Sequence, residues 1–492
     1  MNLEAINQAS LLLVQPEMRQ IFAGSDLLIW DALSELWKIL STTDCASSEE
    51  QTHVEEVILC IARFTRNVVA GEKRNQSRVF ANEPNIRHLL HKYTAFSQSQ
   101  EPNSIPIARM LIQCLSNLVT SNENLISRLW ETYMNLPDEL NILIRTLALQ
   151  DNRAVSSALV LILNCVVGDR QRLETLTRTP TGIRTCITLL DRISSLIDCD
   201  EESEDGKTFE IAFRIFEQIL DANLGSTLLD ILKIDGESTT PHQVTFLKVL
   251  DSYALQDRSK AFQCVDMLSS TTALFFDLSC HAQASIRRIA GPSNEESDTT
   301  GNAPIQEIDL ILPKVCEAII LVAQFFCTVT LAEEESQNIP LTLSPKKILI
   351  EAVGASDQGL IEDLIGLLRS LDKFIPRIAL GRVIGGDGRL STDSPDLSGF
   401  NYLKRDLVRL LGILCFDSRS VQNRVRTCDG IPIAMNLCVL DERNPYLREH
   451  ALFTLRNILH GNLENQAVVD AIKPMGAWDD NGALRDSVGT RK

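Results

Sequence analysis

Three observations predict that this 492-residue chain is an all-α protein, a right-handed solenoid of short helical repeats. One segment is written twice. Arg66-Asn-Val-Val-Ala-Gly-Glu-Lys-Arg-Asn-Gln76 returns as Arg456-Asn-Ile-Leu-His-Gly-Asn-Leu-Glu-Asn-Gln466, with Arg, Asn, Gly, Asn and Gln in identical slots. The likeness extends backwards, because Val57, Ile61, Val68 and Val69 correspond to Leu447, Ala451, Ile458 and Leu459, a helical apolar stripe running into a Gly stop. Composition agrees: hydrophobic residues make up 44% and aromatic residues 5%, so Leu and Ile carry the packing, and no sustained apolar/polar alternation argues for sheet.

Weaker copies follow in chain order. Residues 112–124 keep a Leu-x-Asn-Leu core and an Asn-rich exit, and 158–169 keep the Asn and the terminal Gly. Residues 403–423 carry a Leu-rich stripe and then Val-Gln-Asn, about 44 residues before the copy that starts at Leu447; a spacing in the forties is the period of HEAT and armadillo repeats. Such helices cannot bury an apolar face alone, so stacked copies share one core.

Punctuation divides the chain. The expected organisation is an armadillo-like solenoid over 1–290, an acidic linker over 291–304, and helical repeats over 305–384 with an acidic loop near 333–345. A flexible loop over 385–399, a C-terminal domain over 400–478 and a tail over 479–492 complete it. Ser344-Pro345 and Ser394-Pro395 in these loops offer sites to a proline-directed kinase.

In the last repeat, Asn444 is expected to cap a helix beginning at Pro445, where no backbone donor is needed. Leu447, Ala451, Leu455, Ile458 and Leu459 form its buried stripe and Gly461 closes it in the left-handed conformation, with Arg456, Asn465 and Gln466 completing the structural motif. Upstream, Leu403, Leu407, Leu410, Leu411 and Leu414 make the matching stripe, with Arg405 and Arg409 expected outside.

The motifs exclude several kinds of chemistry. Thirteen cysteines show no Cys-x-x-Cys and seven histidines no His-x-x-x-His, so no metal site and no cofactor are expected. The Gly385-Gly-Asp-Gly388 stretch lacks the Lys-Ser/Thr of a phosphate loop, and no Gly-x-Ser-x-Gly elbow occurs, so catalytic residues are not expected either. A net charge of −18 disfavours nucleic acid. The N-terminus does not read as a secretory signal, and the apolar run from Ala318 to Ala332 is too short to cross a bilayer. The expected setting is therefore cytoplasmic, with reduced thiols and no membrane insertion. Between Arg369 and Arg426 eleven Lys or Arg face six acids, which marks a basic docking surface as a candidate.

The segment from Asp441 to Gln466 resembles the signature of the ataxin-10 family, whose C-terminal domain carries Asn-Pro-x-x-Arg/Lys-Glu-x-Ala-x-x-x-Leu/Ile-Arg-Asn and ends in Glu-Asn-Gln; here His450 stands where Trp is expected. The resemblance is specific over 400–474 and implies a cytoplasmic armadillo-type scaffold linked to cytokinesis and cell division, with no known catalysis. Fungal relatives have also been named for copper transport, a name to which the cysteine spacings lend no support.

An armadillo adaptor of the nuclear-import type is the alternative. It would place Trp four residues before each groove Asn. Asn67, Asn117, Asn164 and Asn457 form the Asn ladder, but Arg63, Gln113, Val160 and Phe453 precede them. The expected function is thus a non-catalytic scaffold that binds other proteins, with Asn67, Asn117, Asn164, Asn457, Arg405 and Arg409 as candidate partner contacts and self-association left open.

Overall fold

The computed structural model describes residues 2–24, 27–97, 101–290, 309–335, 344–375, 377–379, 382–384, 400–472, 476–478 and 484–486. The acidic linker 291–304, the loop 385–399 with Ser394, and most of the tail 479–492 lie outside them, as do residues 336–343 of the acidic loop.

The described residues are overwhelmingly helical and form two compact units, Met1–Leu232 and Lys233–Lys492. In the first unit the helices Leu3–Leu12, Ser48–Val69, Ser104–Val119, Asn152–Val166 and Glu204–Asp221 lie side by side, each packed on the next, with shorter helices such as Lys73–Val79 and Glu123–Met134 between them. The second unit repeats the scheme with Pro241–Gln256, Leu312–Glu335, Leu403–Cys415 and Leu447–Leu459, the last two followed by Arg419–Thr427 and Leu463–Ala471. This is the stacked helical-repeat architecture of an armadillo-like solenoid. Strand among the described residues is confined to two antiparallel pairs, Arg377–Ala379 with Arg382–Ile384 and Gly476–Trp478 with Leu484–Asp486.

Local chemistry starts and stops these helices. Ser47 accepts from the Glu50 amide at 3.2 Å, Asp151 from Ala154 at 2.7 Å, and Thr240 and Gln243 form a reciprocal box in front of Pro241. Each such cap contributes about 1 kcal/mol by satisfying donors that the first turn leaves free. Long helices end in one left-handed residue at a shared register: Gly71, Ser121, Gly168, Asp417 and Gly461. The sequence points to the glycines; Ser121 and Asp417 show that the turn itself, not the residue type, is what repeats.

Burial follows the helical stripes. Leu447, Ala451 and Ile458 are buried, as are Leu403, Leu407, Leu410, Leu411 and Leu414. Each buried Leu or Ile contributes about 2 kcal/mol relative to exposure. Leu455 and Leu459 of the last long helix are only half-buried. One helix, in Leu312–Glu333, is long and apolar enough by composition to cross a membrane, but 67% of its apolar window is buried inside the stack, as in a core helix.

The helix behind Asn444 begins at Leu447, not at Pro445, with Tyr446 left-handed ahead of it and no side-chain cap. Asn444 is buried and spends its amide on Asp441 at 2.8 Å, while its carbonyl accepts from the Leu447 amide. A Pro at the first turn is compatible with helix but does not compel it: Asn444 Nδ2 is tied to Asp441, and its Oδ1, the atom that would cap, accepts from no amide among the described residues.

Candidate functional site

The ladder of asparagines sits where long helices end. Asn67 and Asn457 are buried, Asn117 and Asn164 half-buried. Every one of these amides reaches back to the preceding long helix. Asn67 Nδ2 donates to the Ser10 carbonyl at 2.8 Å, Asn117 to Arg66 at 3.1 Å and Asn457 to Gly412 at 3.0 Å. Asn164 instead meets the hydroxyls of Thr120 and Ser116, at 3.1 and 3.4 Å.

A second set of amides closes two of these junctions from the other side. Gln76 Nε2 donates to the carbonyls of Asn117 (2.9 Å) and Thr120 (3.0 Å), and its Oε1 accepts from Asn122 Nδ2 (3.0 Å). Gln422 does the same one repeat before the end: it donates to the carbonyls of Asn457 (2.9 Å) and His460 (3.4 Å), and accepts from Asn462 Nδ2 at 3.2 Å. Both glutamines are buried. This clamp satisfies the orphan carbonyls of a helix end. Sequence reasoning gave Gln422, Asn122 and Asn462 no role, although Gln76 lies in the duplicated segment and signals it.

In the terminal copy Asn465 is buried and donates to the carbonyls of Ile458 (2.9 Å) and Gln422 (3.1 Å), while its Oδ1 accepts from Arg426. Gln466, the counterpart of Gln76, turns back onto its own repeat and donates to Leu459 at 2.9 Å. Arg456 is exposed.

The basic stretch is largely consumed internally. Lys404 is fully buried, donating to Asp372 (3.3 Å) and the Ile375 carbonyl (2.9 Å). Arg424 pairs with Glu362, Arg426 with Glu464, and Arg369 donates to the Cys428 carbonyl. Arg405 was expected outside; it is instead half-buried, stacked 4.4 Å from the Tyr402 ring and bound through both nitrogens to buried Asp406, which also receives Gln324 Nε2 at 2.8 Å. Arg409, one turn on, is half-buried and makes no hydrogen bond among the described residues. Within electrostatic reach of Arg409, Asp251 on Pro241–Gln256 has its carboxyl raised to about 6, first by burial and then by Asp406, with Arg409 opposing; its Oδ1 is sealed without a partner among the described residues.

A cleft of about 890 Å³ in the second unit is lined by Glu362, Arg369, Arg424 and Cys428 among others. Its charges are spent on one another: Arg424 Nε donates to Glu362 at 2.7 Å and holds that carboxyl below the usual range, while burial pushes the Cys428 thiol up. Neither a poised base nor a thiolate nucleophile results. Burial likewise pushes the thiols of Cys114, Cys165, Cys186, Cys327 and Cys415 to about 12. No group of three His, Cys, Asp or Glu converges as a metal-ligand set among the described residues.

Stacked long helices joined by buried amide clamps define the class, an armadillo-like helical-repeat protein. Residues 403–491 match the model of the spinocerebellar ataxia type 10 protein domain. The ataxin-10 homologue of Schizosaccharomyces pombe is 23% identical over 79% of this chain and 81% of its own length. Bovine ataxin-10 is 30% identical over 24% of this chain, and the Dictyostelium discoideum homologue 37% identical over 17%. Over its C-terminal part the chain is similar to the ataxin-10 family. It matches only 27% of the bovine relative's length and 14% of the Dictyostelium relative's. Among solved structures, SYS-1 aligns over 95% of this chain and 87% of its own at 12% identity with a TM-score of 0.35; a likeness at that level carries no argument, and the fold rests on the helix stacking described above.

Proposed function

We propose that the chain is a non-catalytic protein-interaction scaffold of the ataxin-10 type, acting in the cytoplasm in the regulation of cytokinesis. One observation carries the binding half of this reading. The amide ladder is spent inside the stack, and of the positions four residues earlier on the long helices Gln113 is half-buried, accepting from Arg66 and donating to Ser157, while the others face outward. Arg63, Val160 and Phe453 are exposed there and Arg409 half-exposed. A nuclear-import adaptor would carry Trp at each of these positions; this row is cationic, aliphatic and aromatic by turns, which suits a partner of mixed chemistry rather than a basic peptide. The link to division comes from the family.

Arg409→Glu tests the reading without touching the Asp406 network that Arg405 holds. Affinity capture from dividing cells should lose at least one partner, with the helical signature unchanged although the unfolding midpoint falls, because the new carboxylate repels Asp251. Identical capture profiles and normal division for Arg409→Glu combined with Phe453→Ala would sink it.

A further inference from the structure

Residues 66–76, 412–422 and 456–466 stand at one register and offer the same junction in three places, of which the first two are filled among the described residues. In the first, the Ser104–Val119 helix lies on Ser48–Val69, Asn117 Nδ2 takes the Arg66 carbonyl, and Gln76 clamps Asn117, Thr120 and Asn122. In the second, Leu447–Leu459 lies on Leu403–Cys415, Asn457 Nδ2 takes the Gly412 carbonyl, and Gln422 clamps Asn457, His460 and Asn462. Both occupants obey one rule: an Asn near the helix end, and a second Asn five residues later that meets the glutamine's carbonyl oxygen.

The third junction is the one that Leu447–Leu459 and Leu463–Ala471 would make with a following repeat. Among the described residues no helix follows Ala471. Arg456 stands at the register of Arg66 and Gly412, and Gln466 at that of Gln76 and Gln422. The apolar floor is present and open. Ala62 and Val408, which face the next helix in the filled junctions, are 0% exposed, whereas Leu452 at the same register is 48% exposed. Val69 and Cys415 are likewise fully buried, and their counterpart Leu459 is only half-buried.

We propose that this end face is a socket for an amphipathic helix of a partner protein that ends in Asn with a second Asn five residues on. Its first Asn would donate to the Arg456 carbonyl. Gln466 would release Leu459 and clamp the partner's last carbonyls and its second Asn, while Leu452 and Leu459 are covered. The inference rests on the scaffold reading and deepens it by naming the kind of partner. It does not involve the row tested by Arg409→Glu, so the two can fail separately.

The chain carries its own probe, since residues 104–126 include the helix and both asparagines that fill the first junction. A fluorescent peptide of that sequence, titrated against the full-length protein, should bind saturably at one peptide per chain. Leu452→Glu in the protein should weaken binding at least tenfold, Gln466→Ala severalfold, and Asn117→Ala with Asn122→Ala in the peptide at least tenfold. Leu452 is already exposed, so the variant protein should keep its unfolding midpoint. Absence of binding would overturn the proposal, as would binding undiminished by Leu452→Glu, which would mean that the peptide displaces its own copy in the first junction. Concentration-dependent self-association that Leu452→Glu abolishes in sedimentation would also overturn it, by assigning the face to a second copy of the chain.

Discussion

The two copies of the Arg-Asn-x-x-x-Gly-x-x-x-Asn-Gln segment use the same residues to different ends. The Gln76 amide leaves its own repeat and holds the next one, both contacted carbonyls belonging to the end of Ser104–Val119 or the turn after it, whereas Asn75 donates back to Val68 and Arg19 as Asn465 does to Ile458 and Gln422. Around Gln466 the same amide folds back onto Leu459. A motif that is structural in the interior of a stack is thus left with its outward half unspent at the end of one. Position in the stack, rather than residue type, decides whether a side chain counts as architecture or as surface.

Substitutions at matched registers can break or sharpen that contrast. The largest effect is expected at Gly412, where an added Cβ would lie 2.4 Å from Thr454 Oγ1 and 3.3 Å from Thr454 Cα, with the hydroxyl already held by the Val408 carbonyl at 2.8 Å. Gly412→Val should cost about 3 kcal/mol by overpacking, while Arg456→Val at the equivalent place on the open end should change stability by less than about 0.5 kcal/mol. Equal midpoints for the two variants in urea unfolding would show that the registers do not correspond.

Next in size is the clamp itself. Gln422→Ala removes a buried amide and strands the carbonyls of Asn457 and His460, so it should cost about 2–3 kcal/mol. Gln466→Ala removes a single half-exposed bond and should cost no more than about 1 kcal/mol. A Gln466→Ala loss as large as that of Gln422→Ala would mean that the terminal amide is structural after all.

The smallest expected change is electrostatic and lies beside Arg409. Asp251 titrates near 6 in the folded chain against an ordinary value near 3.8, so between those values the native state binds the extra proton. Stability should therefore fall as pH rises from about 4 to about 6 and level off above. Asp251→Asn should remove that slope and stabilise the chain at neutral pH by about 1–2 kcal/mol, allowing for the carboxyl's partial exposure. Parallel pH profiles of the unfolding midpoint for wild type and variant would contradict the assignment.

Much of the fold was legible because helical repeats are encoded locally. The stripe through Leu403, Leu407, Leu410, Leu411 and Leu414 has a period of one helical turn, and Gly71, Gly168 and Gly461 mark stops where the chain must turn left-handed. The start of the last long helix was not legible. Asn444-Pro445 is a sound helix opening on its own, but the Asn444 side chain is buried with Nδ2 on Asp441 and Oδ1 capping no amide, and the helix starts later. Charge misled for the same reason. Arg405 reads as an exposed cation, yet Asp406 draws it inward, and Lys404 beside it is buried against Asp372 and the Ile375 carbonyl.

By itself the sequence determined that the chain is an all-α repeat protein and that several of its asparagines and glutamines recur at fixed registers, because apolar periodicity and Gly stops act within one or two helical turns. Only the tertiary structure decided what those amides do. A hydrogen bond from Gln76 to Asn117 joins residues far apart in the chain, and nothing within one turn of either specifies it. The same holds at Leu452 and Gln466, which no helix covers among the described residues.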